Sequence, residues 1–184
     1  MDSLQHHLAN VLRVRRSERG WSLTRAAQET GVSKAMLGQI ERAESSPTIA
    51  TLWKIATGFN LPFSVFIAPE AADVTAPRRQ LRGYPPAESV MQAVPLFPFD
   101  PALNFEMLVI DLAAGACSES AAHEAGVVEH VIVIEGALDV QVEGGWKSLA
   151  AGEGLRFQAD RPHAYRNPGN VPVCFHDLIH YPPR

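Results

Sequence analysis

Ser22-Leu23-Thr24-Arg25-Ala26-Ala27-Gln28-Glu29-Thr30-Gly31-Val32-Ser33-Lys34-Ala35-Met36-Leu37-Gly38-Gln39-Ile40-Glu41-Arg42 is the stretch that decides how the first part of this chain folds. Ser22 offers a side-chain oxygen just ahead of Leu23, Ala26 and Ala27, which recur on one helical face, so a helix is expected to begin there. Ala26 and Ala27 are small enough to let a second helix approach closely. Gly31 closes the first helix, because glycine tolerates the left-handed backbone of a C-terminal cap. Ser33 caps the next helix, Lys34 to about Arg42, whose Leu37 and Ile40 turn toward the same core as Val32.

Working outward, Leu4, Leu8, Val11 and Leu12 form a helical stripe that predicts a first helix, broken at Gly20-Trp21. Ser45-Ser46-Pro47 reads as a loop, and Thr48 opens a helix with Leu52, Ile55, Ala56 and Phe59 inward. Asn60-Leu61-Pro62 leads to a last short helix around Phe63 to Ile67, giving five helices in residues 1–68. Pro69, Pro77, Pro85 and Pro86 then mark a linker over residues 69–88. From residue 89 to 184 the apolar residues fall in short runs: Phe105 to Leu112, Val127 to Ile134, Leu138 to Val142, Leu155 to Phe157 and Val171 to Ile179. Gly115, Gly136, Gly144-Gly145, Gly152 and Pro168-Gly169 punctuate them, which predicts an all-β sandwich or barrel.

The 184 residues suffice for two small domains, and 46% hydrophobic with 20% charged residues excludes wholesale disorder. The start of the chain lacks a basic segment followed by an apolar run, and no membrane-length apolar stretch occurs, so a cytoplasmic protein with no membrane partner is expected. Cys117 and Cys174 form no C-x-x-C pair and read as two small buried hydrophobes. Net charge is −4, but residues 1–70 carry eight Lys plus Arg against six Asp plus Glu, while residues 71–184 carry eight against fourteen. Arg13, Arg15, Arg16 and Arg19 cluster within that basic part, as either a phosphate-facing group or a solvated helix face.

The pair of helices satisfies the requirements of a helix-turn-helix. Together with Ile40-Glu41-Arg42, Pro47-Thr48 and Thr51-Leu52-Trp53-Lys54-Ile55-Ala56, it resembles the phage-repressor-like (Xre-type) DNA-binding domain across residues 6–67. The resemblance implies that the third helix enters the major groove. Carried over, Ser33, Lys34, Ala35 and Gln39 become the base readers: Lys34 donates to guanine, Gln39 pairs with adenine or a phosphate, and Ala35 touches a thymine methyl. Ser22, Thr24, Arg25 and Thr48 would fix register on the phosphates. For Ser22 and Thr48, simple capping is an equal alternative. Gly38 departs from the pattern and puts side-chain readout at that spot in doubt.

Residues 105–181 resemble the cupin family, a double-stranded β-helix or jelly-roll barrel. Of its first motif this chain keeps His123, Glu129 and Gly136, with Ala125 where the second histidine belongs. Of the second it keeps Gly152, His163 and Asn167, with Gln158 and Asp160 replacing two turn residues. The resemblance implies an effector or metal pocket at His123, Glu129 and His163, a facial set suited to iron, zinc, nickel or manganese. Alternatively, the barrel holds an organic molecule without metal. His130 should face away from the pocket by strand alternation. His176 and His180 are left open between pocket and surface, while Phe105, Phe157, Tyr165 and Phe175 read as core.

A DNA reader joined to a ligand-sized barrel implies a transcription regulator, in which a small-molecule effector such as an amino acid or polyamine biases operator affinity. A homodimer would place two recognition helices about 34 Å apart on a near-palindromic site. The alternative is catalytic: certain iron-dependent epoxidases of a hydroxypropylphosphonate also join a helix-turn-helix-like domain to a cupin. Here the first histidine lies further from the glutamate than in that family, and no added Lys or Tyr constellation marks a phosphonate pocket. A protein-binding, antitoxin-like role is a third reading, set aside because such chains usually lack a full barrel.

Overall fold

The computed structural model describes residues 2–67 and 90–183. The expected linker over 69–88 and the side chain of Leu4 lie outside the described residues. The chain divides into two compact units, Met1–Thr75 and Ala76–Arg184.

In the first unit, helices α1 (Asp2–Glu18), α2 (Leu23–Thr30), α3 (Lys34–Glu41) and α4 (Ile49–Gly58) are followed by one 3-10 turn, Phe63–Phe66. The expected fifth α-helix is therefore corrected to a single tighter turn. Pro62 stands ahead of it without an N–H, and the i→i+3 geometry puts both Phe63 and Phe66 into the core. Leu8, Leu12, Ala26, Val32, Leu37, Ile40, Leu52, Ile55 and Phe59 complete that core. Gly31 takes φ +66°, the left-handed cap that its position required.

A second lock is polar. The Arg16 guanidinium makes a two-pronged contact with Glu41, at 2.6 and 2.8 Å, and donates to the Trp21 carbonyl at 2.8 Å. Arg19 lies over the Trp21 and Phe59 rings and donates to the Phe59 carbonyl, and Arg15 pairs with Glu18. Arg16 and Arg19 thus brace the unit, while Arg13 and Arg15 bond only within their own helix, to Asn10 and Glu18.

The second unit contains two antiparallel sheets. One has strand order β1-β2-β9-β4-β7, built from β1 (Met91–Asp100), β2 (Phe105–Leu112), β9 (Val173–His180), β4 (Val128–Glu135) and β7 (Gly154–Gln158). The other runs β3-β8-β5-β6: β3 (Cys117–Ser120), β8 (His163–Arg166), β5 (Ala137–Val142) and β6 (Gly145–Ala150). Their inner faces meet, since the Tyr165 hydroxyl on β8 bonds the Glu129 carboxylate on β4.

Four of these strands, β1, β3, β6 and β8, fall outside the apolar runs of the sequence. The first three are sheet edges, where a strand need bury little; β1 even carries Pro95 and Pro98, which an edge strand with register shifts tolerates. β8 spans only four residues. The edge position of β3 also explains a correction: Cys117 is exposed and only Cys174 is buried.

Candidate functional site

Two surfaces concentrate the polar residues singled out in the sequence. The first is the outer side of α2 and α3. Ser22, Ser33 and Thr48 each accept a backbone N–H three residues on, at 3.1, 3.2 and 3.2 Å, so all three act as helix caps. Ser22, Thr24, Arg25, Ser33, Lys34, Ala35, Gln39 and Thr48 are all exposed. Arg25 pairs along its own helix with Glu29. The Lys34 ammonium has no hydrogen bond or ion pair among the described residues. Gly38 is buried; a methyl there would come within 3.2 Å of Arg42 and 3.8 Å of Leu23. Its departure from the family pattern therefore concerns helix packing, not readout.

The second surface is the interior between the two sheets. Strand register sets its floor: Glu106, Ile179, Glu129 and Phe157 form one row across β2, β9, β4 and β7, and Leu108, Asp177, Val131 and Leu155 form the next. His163 and Tyr165 face them from β8. His123 arrives from the loop before β4, held by its backbone N–H on the Ala159 carbonyl at 2.9 Å.

These elements bring His123, Glu129 and His163 together, with one ligand atom from each lying within 4.8 Å of the others. His123 Nε2 is 2.9 Å and His163 Nε2 3.6 Å from Glu129 Oε1, while Tyr165 holds Oε2. The other nitrogen of His163, Nδ1, is 2.9 Å from the Arg161 carbonyl. Nδ1 can only donate there, so in the neutral imidazole the lone pair sits on Nε2, which is buried and without a hydrogen-bond partner. A divalent metal fits that donor set: two imidazoles, one carboxylate and a lone pair already aimed inward.

Burial raises the Glu129 carboxyl, but the His123 hydrogen bond, the charges of His163 and His123 and the Tyr165 hydroxyl more than offset it, so its pKa falls below the usual range. Asp177 goes the other way: burial, then the charges of Glu129 and Glu106, hold it well above that range, and its Oδ1 has no hydrogen-bond partner. The interior thus sorts one anionic carboxylate from one protonated one.

Asn167 and Gly136 keep motif positions for structural reasons. Asn167 donates to the Leu112 and Val171 carbonyls, and Gly136, at φ +89°, backs onto Val173. His130 faces outward as expected, and His176 and His180, left open, join it; His180 packs against His130 and Phe105. Phe105 is accordingly an outer-face residue rather than core. Phe175 is core. Tyr165 is buried, yet its hydroxyl serves Glu129, and Phe157 lies beside His163, with ring centroids 5.3 Å apart. Asp177, Glu106 and Tyr181, which bonds Glu106, were not singled out in the sequence, and Tyr165 was read only as core. Inward parity on β2 and β9 was the available signal for Glu106 and Asp177.

These two sites define a class, a helix-turn-helix regulator carrying a cupin domain. The helix-turn-helix family matches residues 12–66 and the cupin-domain family residues 108–179. Over 182 residues, 99% of each chain, the sequence is 55% identical to the HTH-type transcriptional regulator SutR of Escherichia coli strain K12. The chain belongs to that family of helix-turn-helix transcriptional regulators. Its fold is similar to the crystal structure of a helix-turn-helix-family transcriptional regulator from Vibrio cholerae, with TM-score 0.81, 40% identity and 97% of each chain covered. The cupin domain of an XRE-family transcriptional regulator from Enterobacter cloacae is 53% identical over 51% of this chain and 99% of its own length, with TM-score 0.50.

Proposed function

We propose that this chain is a sequence-specific DNA-binding transcription regulator whose cupin domain senses a small-molecule effector. The observation that carries the reading is the outward face of α3. Its first turn is capped by Ser33, its inner side is fixed by Leu37 and Ile40, and it presents Lys34, Ala35 and Gln39 to solvent with the Lys34 charge unpartnered among the described residues. Such a face suits major-groove docking, with Ser22, Thr24, Arg25 and Thr48 flanking it toward the phosphates.

Lys34→Ala should weaken binding to the chain's own upstream DNA by about 1–3 kcal/mol and relax preference at one base position, because that is the worth of a base-edge contact. Fluorescence anisotropy on specific and scrambled duplexes checks it. Equal loss on both duplexes would make Lys34 a phosphate contact, and no loss would remove it from the interface.

We read the interior site as an effector site rather than a catalytic one, with residues 1–68, 69–88 and 89–184 as reader, linker and sensor. The strand orders suit a jelly-roll closure, and the relatives' names as regulators support the non-catalytic reading. His123, Glu129 and His163 would hold the metal, iron, zinc, nickel or manganese, which when bound supplies open coordination positions for an effector's polar group. Elemental analysis of the purified protein and of Glu129→Gln tests this; equal metal in both would exclude the set. Action on DNA also implies the cytoplasm and a homodimer on a two-fold operator. None of the described helices is long and apolar enough to cross a membrane.

A further inference from the structure

We propose that the effector is a small organic anion whose charged group is held at the side of the barrel by Lys147 and Arg161 and whose body passes Phe157 toward His163. The proposal rests on the effector-sensing reading above and names the ligand class.

A cavity of about 220 Å³ opens in the second unit, with Val142, Lys147, Leu155, Phe157, Arg161 and His163 among its lining residues. It lies where β6, the last strand of one sheet, and β7, the last strand of the other, stand without a ladder between them. The barrel therefore has a mouth on this side, and His163 of the metal-fitting cluster forms part of its wall.

Lys147 is out of pattern there. In register it pairs with Val140, and Val140 with Tyr165, so the three form one row on the inward face of the sheet. The neighbouring inward pair on the same two strands is Leu138 with Leu149, both buried. Lys147 takes an inward register position on β6 yet is exposed, so its charge stands at the mouth and not in the interior. Its ammonium has neither hydrogen bond nor ion pair among the described residues.

Arg161 is the second cation. Its only ion pair among the described residues is with Glu143 at 3.5 Å, and both side chains are largely exposed, at 67% and 78%, so an incoming anion displaces the pair readily. Its carbonyl receives the His163 Nδ1 proton, so an anion on its guanidinium sits on the same residue that orients His163. His163 supplies the inner end: its side chain is 2% exposed and its Nε2 lacks a hydrogen-bond partner.

A compact point charge and a planar fork together suit a carboxylate, phosphate or sulfonate. The cavity is smaller than a drug-sized pocket, so the ligand is a compact metabolite. Glu143 also lines the cavity, but one carboxylate against Lys147, Arg156 and Arg161 leaves the mouth net positive, which disfavours a polyamine. Arg156 lines the same cavity but pairs in register with His130 on the outer face, where its charge, after burial and His180, helps lower the His130 pKa.

The test titrates the full chain with sodium succinate and sodium phosphate at constant ionic strength, against sodium chloride and putrescine, by calorimetry and thermal unfolding. At least one of the two anions should bind saturably and raise Tm beyond chloride. Lys147→Met and Arg161→Gln should each weaken that binding at least tenfold, Lys147→Arg should retain it, and Lys54→Gln, which removes an exposed cation on α4, should match the wild type. Anions that do no more than chloride, saturation by putrescine alone, or wild-type affinity in both Lys147→Met and Arg161→Gln would overturn the proposal. A footprint on upstream DNA separates the two readings. Selective protection without anion binding defeats the anion site alone, and anion binding without protection defeats the regulator reading alone.

Discussion

Asp177 and Glu129 face the same interior, yet their surroundings push their pKa values in opposite directions, and that contrast can be measured. Because Asp177 is held protonated in the fold while its unfolded form ionises at about 3.9, its stability contribution is complete below that pH and is lost as pH climbs toward the raised folded value. Each unit of that difference is worth about 1.4 kcal/mol. In metal-stripped protein, Asp177→Asn should therefore match the wild type near pH 4 and become the more stable chain by pH 7.5. Urea unfolding at both values checks it, and a gap that did not widen with pH would mean the carboxyl is ionised in the fold. His123, Glu129 and His163 were legible in the sequence because motif spacing names them. Asp177 and Lys147 were not, because which way a strand residue faces depends on pairing partners and on irregularities such as the register shift between Val133 and Glu135.

Helix packing puts two glycines of the first unit in opposite positions. A methyl at Gly58 would lie 2.6 Å from the Glu29 carbonyl oxygen and from Thr30 Cα, both backbone atoms that cannot swing aside. A methyl at Gly38 would press at 3.2 Å only on the flexible head of Arg42. Gly58→Ala should therefore cost about 1–3 kcal/mol through overpacking between α2 and α4. Gly38→Ala should be neutral or gain up to about 1 kcal/mol from helix propensity. Thermal unfolding of the two variants side by side checks both signs. The helices were readable because caps and apolar stripes are local; Ser22, Gly31, Ser33 and Thr48 announce their own roles. The role of Arg16 was not, because its partner Glu41 lies on another helix, 25 residues away in sequence. Edge strands hid for the same reason: β6 leaves four consecutive residues exposed and owes its place to β5, not to its own pattern.

For the molecule as a whole, a two-fold operator requires two chains. Light scattering should give twice the 20.0 kDa chain mass, and footprinting should protect two half-sites about 34 Å apart centre to centre. A monomer protecting a single half-site would defeat that expectation. Affinity for DNA should also fall steeply as salt rises, with log affinity linear in log salt, since phosphate contacts release counterions. A flat dependence would contradict a phosphate-clamped helix.

Pro95 and Pro98 sit on β1, the outermost strand of its sheet beside β2. Two amides on that rim have no proton to offer, and the ladder is further offset by register shifts near Pro95 and Phe97. Another extended chain pairs poorly with such a border, so runaway strand stacking, and the aggregates it seeds, is disfavoured along this flank even when many copies crowd together.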